Sequence, residues 1–237
     1  MEETNYHKDL LYSNLGLMDY TQAWDLQRET FELRVKNKIP DIIYLVEHPN
    51  TYTFGKTADH NNLVGSEEYL SSNKISVYDI DRGGDITYHG PGQIVGYPII
   101  SLTDWEKDTH KYLRALEETI IRTCAEYGIT GSRVPEYTGV WVKDRKIAAI
   151  GIKVSRWITM HGFAFNVNTD LSFFSGIIPC GIADKDVTSI KREVNQDIDI
   201  EEVKVKLINH FKRIFNYSNV TQVTKEELIS VNLSTVK

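Results

Sequence analysis

The sequence predicts an α+β domain, a mixed β-sheet with flanking helices. Three observations carry that prediction. Short apolar or alternating runs, the mark of strands, cluster between residues 41 and 168. Long helical patterns stand before, between and after them, so strands and helices do not alternate one for one as in a doubly wound parallel sheet. No linker, internal repeat or low-complexity tract divides the chain, so residues 1–218 read as one domain and residues 219–237 as a polar C-terminal tail.

Asp19 to Lys38 reads as the first helix. Asp19 can cap it, Gln22 is placed to complete a capping box, and Tyr20, Trp24, Phe31 and Val35 recur on one face before Pro40. Asp41 to Glu47 holds Ile42-Ile43-Tyr44-Leu45-Val46, a short apolar run that fits a buried strand, broken by His48-Pro49-Asn50. Thr51 to Phe54 is a second short strand. Lys56 to Asn73 reads as loop with a weak helical piece, and Lys74 to Ile80 as a strand.

A Gly-rich loop follows, Arg82-Gly83-Gly84-Asp85-Ile86-Thr87-Tyr88-His89-Gly90-Pro91-Gly92-Gln93, and then an apolar strand from Ile94 to Ile100. Thr103 to Tyr127 is the clearest helix. Thr103 and Glu106 have capping-box spacing, Leu113, Leu116, Ile120, Cys124 and Tyr127 share a face, and Gly128 ends it. Gly139 to Val142 and Lys146 to Val154 read as strands around the turn Lys143-Asp144-Arg145. Met160 to Asn168 is a further strand, with Phe163, Phe165 and Val167 alternating. Asp199 to Phe215 is the last helix, capped by Asp199 and striped by Val203, Leu207, Phe211 and Ile214.

Composition narrows the function. Hydrophobic residues at 41% and charged residues at 25% of 237 suit a soluble globular protein with a core of useful size. A net charge of −6 argues against broad nucleic-acid binding, which needs a basic footprint, while leaving room for a local basic patch facing an acidic partner protein. Met1 to Leu10 has no apolar signal core, no run is long enough to span a bilayer, and two cysteines make no disulfide framework. These features predict a reducing cytoplasm.

Of the two cysteines, Cys124 falls on a helix stripe and reads as core. Cys180 lies in Ser175-Gly176-Ile177-Ile178-Pro179-Cys180-Gly181-Ile182, where the flanking proline and glycine shape a turn. A turn can present a thiol to substrate; a small buried residue in a tight bend is the competing reading. A free thiol is mostly protonated at neutral pH, so a nucleophile needs a cation or base nearby. His89 and His161, both beside glycines, are candidates. Lys146, leading the strand Lys146-Ile147-Ala148-Ala149-Ile150-Gly151-Ile152, is another, because burial would let it exchange a proton with a thiol. Residue spacing does not choose among them. No cluster has zinc-ligand spacing. The Arg82-Gly83-Gly84 loop could bring backbone N–H groups to an acyl or phosphate-bearing ligand, yet it lacks the Gly-Lys-Ser/Thr ending of a P-loop.

Together the segments resemble the lipoyl(octanoyl) transferase family. The matching stretches are Glu47-His48-Pro49 with Phe54-Gly55-Lys56, the segment Arg82 to Gln93, Gly139-Val140-Trp141-Val142, Lys146 to Gly151, His161-Gly162-Phe163-Ala164-Phe165-Asn166, Pro179-Cys180-Gly181-Ile182 and Thr188-Ser189. They run in the family's order from about Leu11 to Ser189. The resemblance implies the fold of the biotin and lipoate ligase catalytic domain. It implies that Cys180 is the acyl-thioester nucleophile and that Lys146, thirty-four residues earlier, lowers its pKa. It further implies that Arg82, Gly83, Gly84, Asp85, Ile86, Thr87, Tyr88, His89, Ala149, Ile150, Gly151, Gly162, Phe163 and Ala164 line the acyl substrate site.

The implied reaction takes octanoyl from acyl carrier protein and passes it to a lysine of a lipoyl domain, with no cofactor and no metal. The implied acceptors are the lipoyl domains of 2-oxoacid dehydrogenase complexes and the glycine cleavage H protein. Two other readings are weighed. An ATP-dependent lipoate–protein ligase on the same fold would need no cysteine. A non-catalytic module that binds acyl carrier protein or lipoyl domains would need neither Cys180 nor Lys146.

Overall fold

A computed structural model describes residues 8–135, 137–178 and 186–224, with residue 227. Eight strands form one mixed sheet in the order β11-β1-β2-β6-β10-β9-β8-β7. They are β1 (Asp9–Leu17), β2 (Asp41–Glu47), β6 (Gln93–Ile99), β7 (Ser132–Val134), β8 (Tyr137–Val142), β9 (Arg145–Ser155), β10 (Ile158–Asn166) and β11 (Asn219–Gln222). The pairs β11–β1 and β1–β2 are parallel and the rest antiparallel. A smaller sheet, β4-β3-β5, is built from β3 (Thr51–Phe54), β4 (Ser76–Asp79) and β5 (Thr87–His89).

The large sheet is covered on both faces, which is why β2 reads as a continuous apolar run. Ile42, Tyr44 and Val46 pack with α1 (Tyr20–Val35) on one face, while Ile43 and Leu45 pack on the other with α3 (Thr109–Ala125) and α5 (Ile200–Ile214). Asp19 caps α1 by accepting from Thr21 N at 2.8 Å. Cys124 is buried on the core face of α3, and burial pushes its thiol up to about 12, which removes it from nucleophilic chemistry near neutral pH. Two short helices, α2 (Glu67–Ser72) and α4 (Ile190–Val194), complete the described elements with two 3₁₀ turns.

The structure corrects several boundaries. The helix expected from Thr103 begins at Thr109, capped by Asp108, which accepts from His110 N and Lys111 N. Residues 101 and 102 are instead tied to the 157–158 segment: Ser101 bridges Ile158, and Leu102 N donates to Trp157 O at 2.8 Å, with bends from 102 to 105. β1 escapes the sequence because a bulge between Asn14 and Leu17 breaks its alternation. The Gly-rich loop contains a strand, β5, paired antiparallel with β3. The start of the tail adds β11 to the edge of β1. No helix among the described residues is long and apolar enough to cross a membrane.

Candidate active site

A cavity of about 510 Å³ opens where the two sheets meet, within the range of small-molecule sites. β6, β9 and β10 give one wall, with Val95, Tyr97, Ala149, Ile150, Phe163 and Ala164. β5 and the loop before it give the other, with residues 82–87 and His89.

The Arg82-Gly83-Gly84 loop is seated by hydrogen bonds and by the absence of a side chain. Arg82 is buried; its Nη2 donates to Thr53 O at 2.6 Å and Thr53 Oγ1 at 2.9 Å, and its Nη1 to Gly83 O at 3.0 Å. Gly83 N donates to Ile152 O at 2.9 Å. A Cβ on Gly151 would stand 2.8 Å from Gly83 O, so the loop and β9 touch backbone to backbone only because position 151 is glycine. Asp85 accepts from Asn62 Nδ2 at 2.6 Å and from Asp59 N at 3.2 Å, tying this loop to the 3₁₀ turn at His60–Asn62.

Behind the loop lies a buried polar relay. Gln93 Nε2 donates to Tyr88 O at 3.0 Å and Asn166 Oδ1 at 2.9 Å, so its Oε1 accepts from His89 Nδ1 at 2.9 Å. Asn166 Nδ2 continues the chain to Thr188 O at 3.0 Å. This fixes the His89 tautomer, and burial holds its pKa well below the usual histidine range. His48 Nδ1 donates to Met18 O at 2.7 Å, its Nε2 accepts from Tyr97 OH at 2.8 Å, and burial lowers it to about 4. Beside it, Glu47 Oε2 accepts from Gly92 N at 2.8 Å, fixing the turn that precedes Gln93. His161 is pushed down by burial against the pull of Asp81, 2.8 Å from its Nε2. All three imidazoles are neutral near pH 7.

Lys146 stands at the other end of the cavity and is only 8% exposed. Its N–H donates to Asp186 O at 2.9 Å, and its carbonyl accepts from Thr188 N at 2.9 Å. On the opposite flank, Ile178 N donates to Asn62 O at 2.8 Å. The residues between these two anchors, 179–185, include Cys180 and lie outside the described residues.

The structure brings the sequence-singled residues Arg82, Gly83, Gly84, Asp85, Ile86, Thr87, His89, Lys146, Ala149, Ile150, Gly151, Gly162, Phe163 and Ala164 to this one cavity. Tyr88 is turned away. Alternation along β5 sends its ring into the core of the small sheet against Phe173 and Phe174, and its OH donates to Asn50 Oδ1 at 2.9 Å. His161 lines the end remote from Lys146: it pairs with Ile152, six residues along β9, about 15–20 Å away. Gln93, the last residue of the matching segment Arg82 to Gln93, also lines the cavity, as do Tyr20, Tyr97, Leu113, Tyr137, Thr138 and Val187, which no local signal singled out. Tyr20 and Leu113 read as helix-stripe residues in sequence.

Residues 19–212 match the family described as lipoyl protein ligase A/B catalytic domain. The octanoyltransferase of Christiangramia forsetii is 50% identical over 226 residues, covering 88% of this chain and 97% of that protein. Among solved structures, the archaeal bipartite lipoate protein ligase of Thermoplasma acidophilum superposes with a TM-score of 0.71 at 18% identity, covering 95% of this chain and 91% of that one. The biotin protein ligase of Aquifex aeolicus shares the fold at a TM-score of 0.52 and 13% identity, over 88% of this chain and 71% of that one. A cavity between two sheets, the ordered motifs that line it and these likenesses over most of its length agree: the chain belongs to the octanoyltransferase family, built on the lipoyl protein ligase A/B catalytic domain.

Proposed function

We propose that this enzyme takes an octanoyl group from acyl carrier protein onto Cys180 and passes it to a lysine of a lipoyl domain. The lipoyl domains of 2-oxoacid dehydrogenase complexes and the glycine cleavage H protein are the acceptors of this reading. One observation carries it. The buried Lys146 lines the cavity, and its backbone is hydrogen-bonded to Asp186 and Thr188, the first residues after the segment that holds Cys180.

In the first half, the Cys180 thiolate attacks the thioester carbonyl. A new C–S bond forms, the bond to the pantetheine sulfur breaks, and the Lys146 ammonium gives that sulfur a proton. In the second half, the acceptor amine attacks the Cys180 thioester. Its proton returns to Lys146 and the Cys180 thiolate is released. Thioester exchange is close to balanced and amide formation from a thioester runs downhill, so the reaction needs no ATP. Val95, Ile150 and Phe163 offer apolar surface to the acyl chain, at about 0.8 kcal/mol per buried methylene.

The test is the intact mass after incubation with octanoyl-acyl carrier protein. One octanoyl adduct should appear, removable by hydroxylamine and absent from Cys180→Ser. An adduct on Cys124 instead, or turnover by Cys180→Ser, would overturn the reading.

A further inference from the structure

Trp141 belongs to a motif, Gly139-Val140-Trp141-Val142, to which the reaction above assigns no task. It is 1% exposed and does not line the cavity. Its position opposite Lys146 is the product of a register shift. Val142 pairs with Arg145 and Trp141 with Lys146, but Val140 pairs with Ala148, so Ile147 is an extra residue on β9. Without this bulge, counting back from the Val140–Ala148 pair would set Trp141 opposite Ile147 and Lys146 opposite Val142. Bulges re-aim side chains. This one puts Lys146 and Trp141 on the same face as direct cross-strand neighbours. The Lys146 Nζ lies over the Trp141 ring, 4.8 Å from its centroid.

Gly139 contributes to the same arrangement. Its φ of +130° lies in the range that suits glycine, and a Cβ there would meet Ala148 O at 2.5 Å. Among the described residues, several charged groups on the neighbouring elements pair with one another. Glu117, on α3, accepts from Arg114 at 2.7 Å, Arg133 at 3.0 Å and Gly139 N at 3.2 Å. Arg145 pairs with Glu193 on α4, and Asp186 with Arg192 at 3.0 Å.

We propose that Trp141 is the positioning residue for Lys146: its ring face holds the ammonium in one place for its work on the Cys180 thiol. A tryptophan face attracts a cation and offers no comparable attraction to a neutral amine. A lysine stem has several freely rotating bonds, so a fixed platform restricts where its charge stands. The inference rests on the assignment of Lys146 and Cys180 above.

The experiment follows iodoacetamide alkylation of Cys180 against pH, read by peptide mass, in the wild type, Trp141→Leu, Trp141→Phe and Lys146→Ala. Steady-state transfer and thermal melting are measured on the same proteins. Trp141→Leu should move the alkylation midpoint up by about 0.5–1 pH unit. Its kcat should fall about 3–10-fold, with KM for octanoyl-acyl carrier protein within about twofold. Trp141→Phe, with a weaker ring, should fall between, and it carries the test alone if Trp141→Leu does not fold. A shifted curve in Lys146→Ala with unshifted curves in the folded Trp141 variants would overturn this inference and leave the Lys146 reading standing. An unshifted curve in Lys146→Ala would overturn both.

Discussion

At position 146, arginine would keep the positive charge but would not release a proton near neutral pH. This separates the two tasks that the proposed mechanism gives the lysine. Lys146→Arg should retain much of the rapid alkylation of Cys180 yet lose about 10²–10⁴-fold in transfer rate, the usual worth of a general acid–base group. Lys146→Ala should lose both. Transfer by the arginine variant at near wild-type rate would mean that charge alone suffices. Cys124→Ser is the matching control. It should leave the transfer rate within about twofold and cost about 1–3 kcal/mol of stability on urea unfolding, because a hydroxyl replaces a thiol in an apolar core. The sequence separated the two cysteines by local pattern alone, one on a helical stripe and one between proline and glycine. It left Lys146, His89 and His161 open as activators until the family resemblance favoured the lysine. In the fold, His161 pairs with Ile152, six residues along β9 from Lys146, and the proton on His89 Nδ1 is committed to Gln93.

Among the elements, the contact between the Gly-rich loop and β9 is the most sensitive to a single atom. Gly151→Ala places a Cβ 2.8 Å from Gly83 O, and the obstacle is backbone, which cannot rotate away. The expected cost is about 1–3 kcal/mol in urea unfolding, with a raised KM for the acyl donor because residues 82–84 wall the cavity. An unchanged KM would detach this loop from substrate binding. Apolar periodicity found β2, β3, β6, β9 and β10 within one or two residues. It failed where another interaction outweighed the pattern. Thr103 and Glu106 have capping spacing, but pairing of residues 101 and 102 with 157 and 158 leads into a run of bends at residues 102–105, and Asp108 caps α3. The bulge at Ile147 left no mark in the sequence, because a pattern of apolar residues does not state which partner each one faces.

At the scale of the whole molecule, the three buried neutral histidines set its response to acid. His48 titrates at about 4 when folded, against about 6.5 in an unfolded chain. The unfolded chain therefore binds the proton first as pH falls. The contribution of His48 is intact above about pH 6.5 and is lost progressively down to about pH 4, at up to about 1.4 kcal/mol per pH unit. His89 and His161 are shifted in the same direction and add to the slope. Asp81 is held below its usual range by the hydrogen bond from His161, against burial and with help from Lys153, so its contribution also fades as acid protonates it. Urea midpoints should fall steeply between pH 6.5 and 5. His48→Gln should lessen the slope by about 1 kcal/mol per pH unit; an unchanged slope would show that His48 is not buried and neutral. A separate expectation concerns the reaction: transfer should proceed without ATP or magnesium and survive a chelator, whereas a strict ATP requirement would favour the ligase reading.

The sequence by itself determined the α+β class, most of the strands, the core role of Cys124 and the motifs of the family, because these depend on local periodicity, local turn chemistry and residue order. The tertiary structure decided which motifs meet. Arg82 and His89, Lys146 and Gly151, and Phe163 come from three separate stretches of the chain and reach one cavity only through strand order and register. Tyr88 faces away from that cavity because β5 pairs with β3, and Lys146 faces Trp141 because one extra residue shifts the β8–β9 ladder. Register is a long-range property: moving a strand by one residue turns every side chain to the opposite face, and nothing in the strand's own sequence records which neighbour it takes.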